Sequence, residues 1–72
     1  MAKDLKRAFG RRVRELRESR GWSQETMNQH SGLHWTYIGQ VERGERNLTL
    51  LSIQKIAKAF KIEMLELFKG LG

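Results

Sequence analysis

Three polar side chains between residues 36 and 43 have the types and the spacing needed to contact the edges of bases. Gln40 can bond two atoms of adenine at once, and Thr36, about one helical turn earlier, offers a hydroxyl and a methyl group. Arg43 follows Gln40 by three residues and can reach guanine or a phosphate. Side chains three or four residues apart share one face of a helix. Residues 36–43 therefore predict a helical surface that contacts nucleic acid, and the competing interpretation is an ordinary solvated polar face.

The apolar residues of the same segment indicate which side of this helix is buried. Ile38 and Val41 predict the inner side, which leaves five residues facing outward: Trp35, Thr36, Gly39, Gln40 and Arg43. Among these we predict base contacts by Trp35, Thr36, Gln40 and Arg43. Trp35 has a second interpretation as a core or dimer aromatic, because tryptophan is usually mostly buried. Gly39, unusual inside a helix, indicates either close approach to a partner or simple tolerance.

Four further helices are predicted around this one. The period of the apolar residues places them at 4–19, 24–30, 50–60 and 63–69, and the third helix runs from about Trp35 to Arg43-Gly44. In the first helix the apolar stripe consists of Leu5, Phe9, Val13 and Leu16. Gly21 is suited to end the first helix, and Ser23 and Thr49 are suited to begin the second and the fourth. No alternation typical of strands occurs, so we expect an all-α fold of five short helices around one core.

Length and composition limit the class of protein. The chain has 72 residues, no cysteine, and 14 Lys and Arg against 8 Asp and Glu, which gives a formal net charge of +6. Such a chain predicts one small domain, 1–72, whose limited core favours association into oligomers. Absence of cysteine fits a reducing compartment, and no apolar run is long enough for a membrane span or a signal peptide. We therefore expect a cytoplasmic protein.

Positive charge is concentrated in the first helix. Eight cations precede Gly21, namely Lys3, Lys6, Arg7, Arg11, Arg12, Arg14, Arg17 and Arg20. A basic balance fits a nucleic acid, a membrane surface or simple solubility, so the charge alone does not choose among these partners. The first-helix cations themselves either face a polyanion or are only solvated.

A helix-turn-helix pattern runs from Ser23 to Asn47, as a short helix, a turn centred on Gly32 and a second short helix. Its motifs are Ser23-Gln24-Glu25, Ser31-Gly32-Leu33, Tyr37-Ile38 and Val41-Glu42-Arg43-Gly44. With these motifs the chain resembles the Cro/CI-like (XRE) DNA-binding family over nearly all of its length. Within that family it is most similar to the controller proteins of restriction–modification systems. The resemblance implies a lambda-repressor-like domain and a dimeric transcription regulator that controls its own gene and that of the endonuclease.

Further residue roles follow from the motif and the resemblance. We expect phosphate contacts by Gln24, Tyr37, Arg46 and Asn47, which position a protein on DNA without specifying sequence. For Arg46 the alternative is a solvated loop cation. The resemblance implies a structural ion pair between Arg17 and Glu42. Asn28 stands where the family usually has alanine, so either the two motif helices separate slightly or the amide finds a partner.

The last predicted helix carries more apolar residues than one buried face needs. We predict a dimer interface formed by Met64, Leu65, Leu67, Phe68 and Leu71. A two-fold dimer would place two recognition helices about 34 Å apart, on a near-palindromic operator with half-sites about 10 base pairs apart. The alternative is that this segment only caps the core.

Catalysis and metal binding are disfavoured by the histidine pattern. His30 and His34 are four residues apart, but Gly32 interrupts the helix that would align them, and no carboxylate motif accompanies them. We expect no enzymatic activity, no metal, no cofactor and no small-molecule effector. A different class also fits: an antitoxin-type or phage-type repressor whose main partner is a protein. A basic first helix lying on a membrane surface is a weaker interpretation.

Overall fold

The computed structural model describes the backbone of residues 2–71 and the side chains of residues 4–71; Met1 and Gly72, the ends of the predicted domain, lie outside the described residues. It contains five helices: α1 (Ala2–Ser19), α2 (Gln24–Ser31), α3 (Trp35–Glu42), α4 (Leu50–Phe60) and α5 (Met64–Leu67). The prediction of an all-α chain with five helices is confirmed, and residues 2–71 contain no strand. α1 begins earlier than predicted, and α5 is a single turn where the sequence predicted a helix over 63–69.

Local hydrogen bonds define the ends of α2 and the start of α3. The Ser23 hydroxyl accepts the backbone N–H of Thr26 at 3.0 Å, which satisfies one of the free donors of the first turn of α2. α2 ends at Gly32, which adopts a left-handed conformation with φ 76°. His34 then begins α3, and its Nδ1 accepts the N–H of Thr36 at 3.1 Å. α2 and α3 are therefore two distinct short helices joined by a tight turn.

One face of every helix contributes to a single core. The buried apolar residues are Phe9, Val13, Met27, Ile38, Val41, Ile56, Ala57, Ala59, Phe60 and Leu67. Leu67 is fully buried in its own chain, so it belongs to the core and the prediction of a dimer contact by this residue is wrong. Leu5, expected in the buried stripe of α1, is instead 56% exposed. It lies at the rim of an open apolar depression of about 200 Å³ that Phe9, Leu48 and Phe68 also line.

α1 contacts the end of α3 through glycine, without intervening side chains. A Cβ on Gly10 would lie 2.7 Å from the backbone oxygen of Glu42 and would also meet that of Val41. A Cβ on Gly44 would lie 2.8 Å from Cγ of Arg7, and this glycine has a φ of 74°. The backbone of α1 therefore rests directly on the last turn of α3, which fixes the position of α3 on the rest of the domain.

Candidate nucleic-acid interface

The ion pair that the sequence predicts between α1 and α3 is present. Arg17 Nε donates to Glu42 Oε2 at 2.7 Å, and Arg17 Nη2 donates to Glu42 Oε1 at 3.0 Å, so the contact is bidentate. Arg17 Nη1 also donates to the backbone oxygen of Trp22 at 2.6 Å. The Arg17 and Glu42 side chains are only 11% and 4% exposed. The hydrogen bond with Glu42 raises the pKa of Arg17, so Arg17 stays charged, and its bonds to Glu42 hold α1 against α3.

Gln24 adds α2 to the same junction. Its Nε2 donates to Glu42 Oε1 at 3.2 Å, so one carboxylate of α3 bonds to residues of two other helices, α1 and α2. The amide nitrogen of Gln24 carries a second N–H, which remains as a donor for a phosphate at the N-terminus of α2. Gly39, predicted to face outward, is buried. A Cβ there would lie 3.4 Å from Gln24 Oε1 and 3.1 Å from Arg43 Nη1, so this glycine leaves space for both side chains.

The turn between α2 and α3 is closed by the residue that departs from the family pattern. Asn28 Nδ2 donates to the backbone oxygen of Leu33 at 2.8 Å. The hydroxyl of Ser31, a buried side chain, accepts the N–H of Leu33 at 3.0 Å. Of the two possibilities that the sequence leaves open, the amide therefore finds a partner, and it links the end of α2 to the start of α3.

Trp35 and Thr36 occupy the start of α3 on its outer side. Trp35 is 48% exposed, so it is not a core residue, and its ring stacks on that of His34 with the centroids 5.2 Å apart. Thr36 is exposed as well. Both side chains are therefore accessible at the N-terminal end of the helix, where helix-turn-helix proteins contact bases.

The loop after α3 folds back over the same helix. Arg46 Nε donates to Gln40 Oε1 at 2.7 Å, and the guanidinium lies over the Tyr37 ring, 5.1 Å from its centre. The Tyr37 hydroxyl donates to Ser52 Oγ at 3.2 Å, and Thr49 Oγ1 donates to the same oxygen at 3.1 Å. Three predicted contact residues are thereby brought together: Tyr37, Gln40 and Arg46. The sequence does not indicate this role of Ser52, because Tyr37, to which it is bonded, belongs to a different helix.

Arg43 is engaged by a carboxylate that the sequence does not single out. Its Nε donates to Glu45 Oε2 at 3.0 Å and its Nη2 to Glu45 Oε1 at 3.2 Å. Both side chains are exposed. The hydrogen bond from Arg43 lowers the pKa of Glu45 and raises that of Arg43. Asn47 is exposed too, but it lies beside Leu48 at the rim of the apolar depression rather than among the side chains of α3.

Some cations of α1, and Arg20 just after its end, have partners within the chain. Arg12 Nη2 donates to the backbone oxygen of Glu66 at 2.9 Å, and Arg20 Nη2 donates to that of Phe60 at 2.9 Å. These two arginines satisfy carbonyl groups near the ends of α5 and α4. Arg11 is exposed. The positive charge of α1 therefore serves the fold in part and is not a uniform surface for a polyanion.

Comparison with known proteins identifies a helix-turn-helix in this chain, in agreement with the arrangement of α2 and α3. The helix-turn-helix model named HTH_3 matches residues 13–67. The chain belongs to the HTH_3 helix-turn-helix family. This HTH_3 chain is similar to the control protein C.SmaI of Serratia marcescens, with 42% identity over 69 residues, which cover 96% of this chain and 82% of the relative. It is also similar to the control protein C.BamHI of Bacillus amyloliquefaciens, with 41% identity over 64 residues, 88% of this chain and 79% of the relative.

A solved structure supports the fold of the HTH_3 chain in the same way. The crystal structure of the restriction-modification controller protein C.AhdI from Aeromonas hydrophila superposes with a TM-score of 0.83. The two proteins share 54% sequence identity, and the alignment covers 90% of this chain and 97% of the C.AhdI chain. The predicted resemblance and fold class are confirmed, and α2 and α3 are the two helices of the motif.

An apolar surface lies on the HTH_3 domain at α4 and α5. Leu50 and Leu51 are 79% and 59% exposed, and they line a shallow depression of about 320 Å³ together with Met64. Leu65, next to Met64, is 83% exposed. We call Leu50, Leu51, Met64 and Leu65 the α4–α5 face. The sequence predicts Met64 and Leu65 in an interface but misses the two leucines of α4, which fall outside the buried stripe of that helix.

The other predicted interface residues lie elsewhere. Phe68 is 39% exposed, but its ring packs on Phe9 with centroids 5.4 Å apart, at the depression that Leu5 borders. Leu71 is half-buried against the core. Within residues 2–71, no helix is long and apolar enough to cross a membrane. In the same part of the chain, no three His, Asp or Glu side chains are arranged to hold a metal ion.

Proposed function

We propose that this protein is a sequence-specific transcription regulator that binds an operator as a homodimer, in the manner of a restriction–modification controller. The outer side of α3 carries the proposal, because Trp35, Thr36, Gln40 and Arg43 all lie there, away from the core. In a helix-turn-helix protein the second helix enters the major groove and the first crosses the backbone. α3 is therefore the recognition helix, and these four side chains are its base contacts.

Residues at both sides of α3 are suited to hold the phosphates. Gln24 lies at the N-terminus of α2, where backbone N–H groups and the helix dipole favour an anion. Tyr37 and Arg46 offer a hydroxyl and a guanidinium beside α3, and Asn47 offers an amide from the loop, at the rim of the apolar depression. The net charge of +6 adds long-range attraction to DNA. Phosphate contacts of this kind fix the register of the recognition helix.

The α4–α5 face is the proposed dimer interface. It exposes three leucines and a methionine from two helices, and apolar patches of this kind usually mark a protein interface. A two-fold axis through this face would present the two copies of α3 on one side, about 34 Å apart, to a near-palindromic operator. Control would then act through protein concentration, because a dimer forms and binds by mass action, without a small-molecule effector. Because DNA is the proposed partner, we propose the cytoplasm as the location of the protein.

The function is tested by selecting bound duplexes from a random DNA library at low and near-physiological salt. We expect a near-palindrome with half-sites about 10 base pairs apart that persists at the higher salt. The logarithm of the affinity should also fall linearly with the logarithm of the salt concentration, because phosphate contacts release counterions. Enrichment of no sequence, or binding that vanishes with salt, would contradict the proposal and direct attention to a protein partner on the α4–α5 face.

The oligomeric state has its own test. Leu65→Glu places a charge on the α4–α5 face, so we expect monomers by analytical ultracentrifugation at a concentration where the wild type is dimeric. Ser19→Glu adds the same charge at the exposed end of α1 and should leave the dimer intact. A Leu65→Glu variant that remains dimeric would move the interface to another surface.

A further inference from the structure

Arg46 makes two contacts with side chains of α3, although it is an exposed residue. Its Nε donates to Gln40 Oε1 at 2.7 Å, and its guanidinium lies 5.1 Å from the centre of the Tyr37 ring. A guanidinium is planar, so it can stack on an aromatic ring with its face while it donates hydrogen bonds from its edge. The Tyr37 ring is fixed in turn by the bond from its hydroxyl to Ser52 at 3.2 Å. The conformation of Arg46 is therefore tied to that of Gln40.

This contact determines which atoms of Gln40 are presented to DNA. A glutamine amide has one acceptor oxygen and two N–H donors. Pairing with adenine uses both ends, because the oxygen accepts from N6 and the nitrogen donates to N7. In this structure the oxygen of Gln40 accepts from a cation, and an adenine amino group bound to the same oxygen would have to lie beside the guanidinium charge. The amide nitrogen of Gln40 and the Nη groups of Arg46 are all donors.

Guanine is the base whose major-groove edge matches a set of donors. It offers two adjacent acceptors, N7 and O6, whereas adenine places its N6 donor beside N7. We infer that Gln40 and Arg46 act as one unit that selects guanine, and not adenine, at one position of each half-site. Arg46 is thus a specificity-determining residue that orients Gln40, in addition to any phosphate that it contacts. The inference rests on the proposed function, because it requires α3 in the major groove.

Selection from a random duplex library tests this coupling, with the full-length wild type and variants at the same salt. In the wild type we expect guanine at a symmetrical position of each half-site. Gln40→Ala should lose the base preference at that position. Arg46→Ala should shift it from guanine towards adenine, because the released amide can then bond both adenine atoms. We expect the ratio of guanine to adenine to fall at least about tenfold, which is within the range for one base contact.

Two further variants control for charge and for folding. Arg11→Ala removes one exposed positive charge from α1, so it should weaken binding without changing any base preference. Arg46→Met keeps an apolar stem over Tyr37 but has no guanidinium, so it should reproduce the base shift of Arg46→Ala. Circular dichroism verifies that each variant is folded. A structural effect of Arg46 alone would lower the affinity for all duplexes but would not exchange one preferred base for another.

Two outcomes would overturn the inference while leaving the proposed function intact. In the first, Arg46→Ala weakens binding to all duplexes and retains the guanine preference, which would make Arg46 a phosphate contact only. In the second, the wild type prefers adenine at the position that depends on Gln40. If the wild type enriches no sequence at all, the proposed function itself fails, so the two failures are distinguishable.

Discussion

Replacement of Gly10 by alanine adds one methyl group where α1 meets the last turn of α3. The new Cβ would lie 2.8 Å from the carbonyl carbon of Glu42 and 2.7 Å from its oxygen, and it would also meet the oxygen of Val41. Non-bonded carbon atoms are normally at least about 3.5 Å apart, so the two helices would have to separate by roughly 0.7 Å. All three atoms belong to the backbone and cannot rotate away, as the end of a side chain could.

Two effects on the free energy of unfolding oppose each other in this variant. Alanine is favoured over glycine inside a helix by about 1 kcal/mol. Overpacking of a tight contact costs about 1–3 kcal/mol or more. The displacement also affects Glu42, whose bidentate contact with Arg17 depends on the present separation of α1 and α3. The difference between these two effects is a loss of about 0–2 kcal/mol, and the disturbed contact between Glu42 and Arg17 adds to it. We therefore expect a net loss of at least about 1 kcal/mol, which corresponds to a fall in Tm of at least about 4–8 °C for a domain of this size.

The assay is thermal and urea unfolding followed by circular dichroism at one fixed protein concentration, because the proposed dimer would make Tm depend on concentration. The pair Arg11→Ala and Arg11→Gly, at the neighbouring exposed position of α1, measures the helix preference alone. Gly10→Ala should be less stable than the wild type even though Arg11→Ala is more stable than Arg11→Gly. A Gly10→Ala protein as stable as the wild type would refute the direct backbone contact between α1 and α3.

Three further predictions, made with four variants, test other parts of the structure. Glu42→Gln should lose about 3–5 kcal/mol in urea unfolding, because it leaves the charge of Arg17 unpaired. The double variant Arg17→Met, Glu42→Leu should lose less than Glu42→Gln, and an equal or larger loss would contradict coupling of the pair. Ser23→Ala should lower the free energy of unfolding by about 1 kcal/mol through the missing N-cap bond of α2, and an unchanged stability would show that this bond contributes nothing. Glu45→Gln should release Arg43 and tighten binding to random duplexes at low salt, whereas unchanged or weaker binding would mean that Glu45 does not compete with DNA for Arg43.

The elements of the fold that the sequence predicts are those governed by local rules. Ser23 and Gly32 define the ends of α2 through bonds within a few residues, so their types alone indicate the boundaries. Burial is less predictable at the ends of the chain. α5 is one turn with three apolar residues, too short for a period to select the inner one, so Leu67 was predicted at the surface and proved to be core. Leu5 continues the stripe of α1 past the region that the other helices cover.

For the candidate site, side-chain type was predictable but pairing was not. The helical period indicates the outer side of α3, where Thr36 and Gln40 are found. The contact between Arg46 and Gln40 depends on how the loop after α3 folds back, and no periodic rule relates residues six apart across a helix end. Glu45 and Arg43 are two apart in a turn, where the backbone conformation decides whether side chains meet. Such contacts depend on the conformation of the loop after α3, which the spacing of the residues does not determine.

The direct seating of α3 on α1 at Gly10 has a consequence for how such a regulator changes its target. Backbone atoms fix α3 on the side that faces α1. The position of α3 therefore does not depend on the side chains of its exposed side. Exposed positions such as 35, 36 and 43 can therefore be exchanged at little cost in stability, since surface substitutions usually change it by less than about 0.5 kcal/mol. A lineage can acquire a new operator by single substitutions on the exposed side of α3, whereas we expect substitution of Gly10 to lower the stability of the domain.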